Sequence, residues 1–142
     1  MGLEGLAARV SAGSVGKAEI AQMKKLLQEL QRLAEVQDVD EYLRHRWEFH
    51  ATAYRCSGRR RLVAEVERLF WRSDRYNRLV LSTLERFRES VGRYRAFLAA
   101  CEAGDGALAE QARSAGSVLH PQQPEALDVV VAVGEGDHAG LV

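Results

Sequence analysis

Apolar residues recur along this chain at three- and four-residue steps with polar residues between them, the period of helices that bury one face. Leu3, Leu6, Ala7 and Val10 share one side of a short first helix, Leu3 to Val10, which the stretch Ser11 to Ser14 stops. A second helix is predicted from Lys17 to Val36, with Ile20, Met23, Leu26 or Leu27, Leu30, Leu33 and Ala34 inward. The third lies between Asp38 and Gly58. Asp38 reads as an N-cap with Glu41 three residues on, the acidic form of a capping box, and Gly58 as the residue just past the end. Its stripe is Val39, Tyr42, Leu43, Phe49, Ala53 and Tyr54, and Arg46 and His50 fall on that same stripe.

A long Arg-rich helix is expected from Arg60 to Leu81, with Leu62, Val66, Leu69, Phe70, Ser73, Tyr76, Asn77 and Val80 inward. Its inner face turns polar at Ser73, Tyr76 and Asn77, with Arg72 at the boundary, and polar groups at core positions need hydrogen-bond partners. Ser82 with Glu85 reads as the box opening a fifth helix, whose stripe is Phe87, Val91, Tyr94, Leu98 and Cys101 and which ends at Gly104. A sixth, capped by Asp105, carries Leu108, Ala112, Ala115 or Gly116 and Leu119 inward until Pro121 stops it. Two domains of behaviour follow: a helical body over 1–120 and a tail over 121–142. The tail opens with two prolines, holds the β-branched run Leu127 to Val133 and ends Gly-rich, and is expected to be extended or partly ordered.

Composition narrows the class. The 142 residues, 46% hydrophobic and 28% charged with a formal net charge of zero, describe an all-α globular protein without a bulk-charge case for nucleic acid or membrane. Between Arg55 and Arg95 the charge is uneven, with twelve arginines against five acids. Such a band suits a solvated helix surface and also attracts anions. Cys56 and Cys101 read as reduced thiols rather than a disulfide or metal framework. The start MGLEGLAARV lacks the features of a secretory signal, and no window approaches a membrane span, so a cytoplasmic location is expected.

Arg46 and His50 are the candidate chemistry. A guanidinium pointed into a core requires an acid of the protein or an acidic ligand. The alternative places Arg46 at the stripe's edge, its stem buried and its head in water, with His50 a satisfied core histidine. Spacing does not separate these readings.

Three segments in order carry a family resemblance. Leu3 to Ala12 (LEGLAARVSA), Glu48 to Leu62 (EFHATAYRCSGRRRL) and Tyr94 to Ala112 (YRAFLAACEAGDGALAEQA) resemble, respectively, three parts of one domain. These are its opening helix, its Phe-His helix with the following turn, and its penultimate helix with the Gly-Asp turn and last-helix start. The domain is the FCD domain, the effector-binding and dimerisation domain of FadR-type regulators in the GntR family. Arg59 stands where that family usually has Asn. The resemblance implies an antiparallel bundle of about six helices around a central cavity, with a divalent metal commonly held there by an Asp and three His. Those positions correspond here to Arg46, His50, Tyr94 and Gly116, so only His50 survives. One imidazole does not hold a first-row ion. His120, one turn past Gly116, substitutes only if the last helix slides. No metal and no cofactor are therefore expected. A guanidinium at position 46 instead offers a fixed positive charge to a carboxylate or phosphate.

The winged helix-turn-helix of such regulators has no counterpart in these residues, since the chain starts inside the domain's first helix. Direct DNA binding by this chain is not expected. The principal functional expectation is a small-molecule and dimerisation domain, taking an organic acid or other anion through Arg46, His50, Arg72, Ser73, Tyr76, Asn77 and Tyr94. It would form a homodimer. A stand-alone, metal-independent isomerase, lyase or cyclase is the enzymatic alternative, with His50 as acid or base, Arg46 as anchor and Tyr94 as proton donor. A third reading is a structural partner that pairs with full-length relatives.

Overall fold

In a computed structural model, the structure describes residues 2–118, with side chains through residue 114. Seven α-helices occur among them: α1 (Leu3–Ser11), α2 (Lys17–Val36), α3 (Val39–Tyr54), α4 (Arg60–Arg72), α5 (Asp74–Val80), α6 (Leu84–Ala103) and α7 (Gly106–Val118). Short 3-10 turns at Ala12–Ser14 and Arg55–Ser57 follow α1 and α3. The all-α reading holds, and the described residues contain no strand. The tail over 121–142, Leu119, His120 and the stop at Pro121 lie outside the described residues.

The connections explain the topology. At the end of α2, Gln37 adopts a left-handed φ of 56°, its N–H reaches the Ala34 carbonyl, and the Asp38 N–H reaches the Leu33 carbonyl at 3.1 Å. Asp38 then accepts the Glu41 N–H at 3.2 Å, so one two-residue link ends α2 and starts α3 as an antiparallel pair. The reciprocal half of the expected box is not made, because Asp38 gives its own N–H to α2 and the Glu41 carboxylate turns to Arg44. Gly104, with φ 66°, closes α6 in the same way, and Asp105 accepts the Leu108 N–H at 3.0 Å to open α7.

Five helices close into a ring. The α2/α3 pair packs on α6 through α2, α6 packs on α7, α7 on α1, and α1 returns to α3, while α4 covers α1 and α3 from outside. Met23, Leu30, Leu33, Tyr42, Leu43, Phe49, Phe87 and Phe97 fill the interior at 0–2% exposure. Each such side chain contributes about 1.5–3 kcal/mol by leaving water.

Four expectations need correction. The Arg-rich segment is two helices, because Ser73 (φ −91°, ψ 14°) breaks it and its carbonyl starts α5 by accepting the Asn77 N–H. Ser and Asp side chains compete with helical backbone bonds, so Ser73-Asp74 breaks a helix without Gly or Pro. The cap of α6 is Thr83, which accepts the Arg86 N–H at 3.2 Å, rather than Ser82. Leu6, Leu69 and Leu108 lie 37%, 39% and 44% exposed, and α1 buries Gly5, Ala7, Ala8 and Ser11 while α7 buries Ala109. Small residues face inward there because α1 and α7 approach closely. Trp47, absent from the expected α3 stripe, is buried beside Phe70, with ring centroids 5.6 Å apart.

That approach has two fastenings. At Gly106, a Cβ would sit 2.5 Å from the Arg9 carbonyl oxygen. Deeper in, the Arg113 guanidinium of α7 hydrogen-bonds Glu4 of α1, and Tyr54 of α3 donates its hydroxyl to the same Glu4 oxygen at 3.1 Å. The Arg113 side chain is 8% exposed and that of Glu4 31%.

Gly106→Ala is expected to destabilise the fold by about 1–3 kcal/mol through overpacking, as measured by urea unfolding. Gly92→Ala, in open space on α6, should instead stabilise it by about 0.5–1 kcal/mol. Glu4→Gln should cost about 2 kcal/mol at neutral pH, because Arg113 loses its carboxylate. Arg113 and Arg46 hold the Glu4 carboxyl below the usual carboxylate range against the opposing effect of burial. Its contribution is therefore present above the ordinary carboxylate pKa and is lost as pH falls through the lowered folded value. Unfolding curves of wild type and Glu4→Gln should converge in that acid window.

Candidate functional site

One face of α3 carries Tyr42, Arg46, His50 and Tyr54 at four-residue intervals, so four successive turns present them as a column inside the ring. The two tyrosines are 0% exposed and His50 is 2% exposed. From α6, Tyr94 meets the column with its ring centroid 4.9 Å from that of His50 and 6.3 Å from that of Tyr42. Arg93 of α6 and Arg113 of α7 supply further positive charge, and Glu4 of α1 supplies the negative charge.

His50 is oriented by its own helix. Its Nδ1 lies 3.0 Å from the Arg46 carbonyl oxygen, which only accepts, so Nδ1 carries the hydrogen and Nε2 is left with a lone pair. Burial, then the positive charges of Arg113 and Arg46, holds the imidazole pKa well below its usual value. His50 is therefore neutral at physiological pH. Burial likewise pushes the phenols of Tyr42 and Tyr54 up, so both remain protonated donors.

The Arg46 guanidinium carbon stands 5.0 Å from the Phe70 ring centroid and 5.8 Å from that of Tyr94. It has no salt bridge among the described residues. Arg93 is in the same position, and burial, with Arg46 and Arg113 adding repulsion, lowers its pKa. Arg113 does have its partner: burial opposes its charge, but Glu4 and then Tyr54 outweigh this and raise its pKa. Of these guanidiniums, that of Arg113 is paired with Glu4, and those of Arg46 and Arg93 have no acid within salt-bridge distance among the described residues.

The buried side-chain nitrogens and oxygens without a hydrogen-bond partner among the described residues are the Tyr42 hydroxyl, Arg46 Nε, His50 Nε2, the Tyr94 hydroxyl and Arg113 Nε. All five belong to this cluster. Buried polar atoms of a folded protein are almost always satisfied, and an orphan left inside costs about 1–3 kcal/mol. The five come from three helices, α3, α6 and α7, and the Tyr42 hydroxyl lies near those of Ser90 and Tyr94.

Among the residues singled out by sequence, Arg46, His50 and Tyr94 come together here. Arg72 is exposed at the end of α4, Ser73 forms the α4/α5 break, Tyr76 is half-buried on α5, and Asn77 is buried under it. No hydrogen bond or ion pair joins Arg72, Ser73 or Asn77 to the cluster among the described residues. Glu4, Tyr42, Tyr54, Arg93 and Arg113 were not recognisable as a set. The regular interval of Tyr42, Arg46, His50 and Tyr54 was a usable signal, as was Arg113, a lone cation in a helix otherwise rich in Ala and Gly.

A divalent metal does not fit these residues. Of the four positions that the family resemblance assigns to its ligands, Arg46 brings a cation, Tyr94 a phenol and Gly116 no side-chain donor. No group of three His, Cys, Asp or Glu able to hold an ion occurs among the described residues. Arginines occupy the interior instead.

The fold has a known counterpart. E. coli McbR/YncC superposes with a TM-score of 0.70 at 20% identity over 91% of this chain and 62% of that one. The chain thus spans about three fifths of that protein's length. No curated protein matches the chain by sequence. The FCD domain, the effector-binding domain of GntR-type regulators, matches residues 1–115, the span of the helical ring and its interior cluster, and the chain belongs to that family.

Proposed function

We propose that this FCD domain binds a small organic acid or comparable anion in the interior of the ring, with Arg46 as anchor and no metal. His50 and Tyr94 contact the ligand, and Arg93 and Arg113 add positive charge around it. The observation that supports this reading is that the buried side-chain polar atoms without a hydrogen-bond partner among the described residues all lie in the cluster around Arg46, whose guanidinium has no salt bridge there. An anion taken from water into that field meets donors that are already desolvated, which makes charge-assisted hydrogen bonds strong.

The domain acts, in this reading, as a homodimer in the cytoplasm. Leu69 and Trp71 on α4 and Leu79 on α5 leave large apolar side chains in water, at 39%, 39% and 72% exposure, which supports pairing of two copies. No helix among the described residues is long and apolar enough to cross a membrane.

Native mass spectrometry of the freshly purified full chain should show a dimer retaining a small organic anion and no metal mass. Arg46→Ala should lose that anion, with affinity falling by about a hundredfold or more, while the helical circular dichroism signal stays intact. An unchanged affinity would sink the assignment of Arg46. Adding a chelator should leave the melting temperature where it is, and a clear drop would place a metal in the fold.

A further inference from the structure

Arg59, Arg60 and Arg61 follow one another into the start of α4, all three exposed, and none has an ion pair among the described residues. Arg59 and Arg60 line an open groove of about 410 Å³ where the Arg55–Ser57 turn meets α4, together with Arg55, Val63, Ala64 and Glu67. Arg55 is paired with Glu48 at 2.7 Å, and Glu67 accepts the Trp71 indole N–H at 3.4 Å. The groove therefore offers two unmatched guanidiniums beside an apolar wall, and what fits it is an acidic segment with apolar side chains between its acids. The chain carries such a segment. Residues 119–142 contain Glu125, Asp128, Glu135 and Asp137 and no Lys or Arg, so residues 1–118 hold all 20 cations of the chain against the other 16 of its 20 acids. Glu125 and Asp128 stand within a run of apolar residues, Ala126 and Leu127 between them and Val129 to Val133 after them.

We propose that the stretch 125–133 of this same chain docks in the groove, with Glu125 and Asp128 opposite Arg59 and Arg60 and the neighbouring apolar side chains against Val63 and Ala64. The interior cluster has no part in this contact, so it stands or falls apart from the anion-binding reading. The reach is sufficient. α1 packs on α7 along one side and meets α4 and the Arg55–Ser57 turn along the other, which puts the groove about two helix spacings from α7, each about 8–10 Å. Asp128 lies ten residues past Val118, the end of α7, and ten residues of extended chain span roughly 33–36 Å. Exposed ion pairs are individually weak and screened by salt, so the seat depends on both acids and on the apolar contact between them, and it opens readily.

Hydrogen exchange of the full chain, read by mass spectrometry, tests the contact. Amides of 125–133 should exchange about tenfold more slowly than those of a free peptide of the same sequence. Arg59→Glu combined with Arg60→Glu should remove that protection while the helical circular dichroism signal holds, because both side chains are exposed and an acid in the first turn of a helix is favourable. Adding Glu125→Arg and Asp128→Arg to that background should restore it. Exchange as fast as in the free peptide, or protection that the charge reversal leaves unchanged, overturns the proposal. Arg59→Lys keeps the charge and supplies an amine that a carbodiimide couples to a touching carboxylate. The expected product is an amide from position 59 to Glu125 or Asp128 within one chain. Coupling to those acids only between two copies, or no coupling to either, overturns the assignment of this chain's own segment to the groove.

Discussion

A guanidinium withdrawn from water has to be met by negative charge, and where α1 meets α7 the Glu4 carboxylate meets that of Arg113, whose side chain is 8% exposed. Glu4 is fixed by Arg113 and Tyr54 and lies within the field of Arg46. Burial opposes the charge on Glu4, and Arg113 and Arg46 keep it ionised all the same; burial first, then the same two guanidiniums, keep His50 neutral. Burial and those guanidiniums also weaken the hold of Arg93 on its proton. Buried ion pairs are a poor source of net stability, since desolvation offsets most of the attraction. The stabilisation of the ring has to come from its apolar faces, which then sustain a polar interior that is not self-sufficient.

Much of the scaffold was legible because it is local. The α2 boundaries, the Asp38 and Asp105 caps and the left-handed glycines at 58 and 104 each depend on a few adjacent residues, and the apolar period of α6 gives its buried face throughout. The misreadings share a different cause. Leu6 and Leu108 look inward by period, but two helices that touch closely place alanine and glycine between them and turn leucine outward. Ser73 breaks a helix through its backbone conformation, φ −91° and ψ 14°, without the Gly or Pro that ordinarily announces a break. In the site, Arg46, His50 and Tyr94 were accessible from period and resemblance, whereas Glu4 and Arg113 are 109 residues apart and acquire meaning only when α1 and α7 meet. The arginine band shows the converse. Arg55, Arg68, Arg78, Arg86 and Arg88 pair with acids on the surface, and Arg93 is half-buried, which charge counting along the chain does not distinguish.

Family membership and site chemistry separate here. The FCD match and the likeness to a GntR-type regulator describe the ring. The chemistry belongs to particular residues, and a fold accommodates different ones. A cation at position 46 presents charge of the opposite sign from the carboxylate that the family resemblance places there, and the guanidinium carbon itself stands over the rings of Phe70 and Tyr94, whose faces attract it.

The packing of α1 on α7 also constrains the order in which the protein can assemble. Closing the ring joins α1 to α7, which lie far apart along the chain, so the ordering entropy of the helices between them is committed before that contact forms. On a ribosome, Ala7, Ala8 and the Glu4 carboxylate emerge about a hundred residues ahead of Gly106 and Arg113, and α2, α3 and α6 are complete before α1 has its seat. The contact of α1 with α7 completes the ring, and with it Glu4 reaches Arg113 and Tyr54.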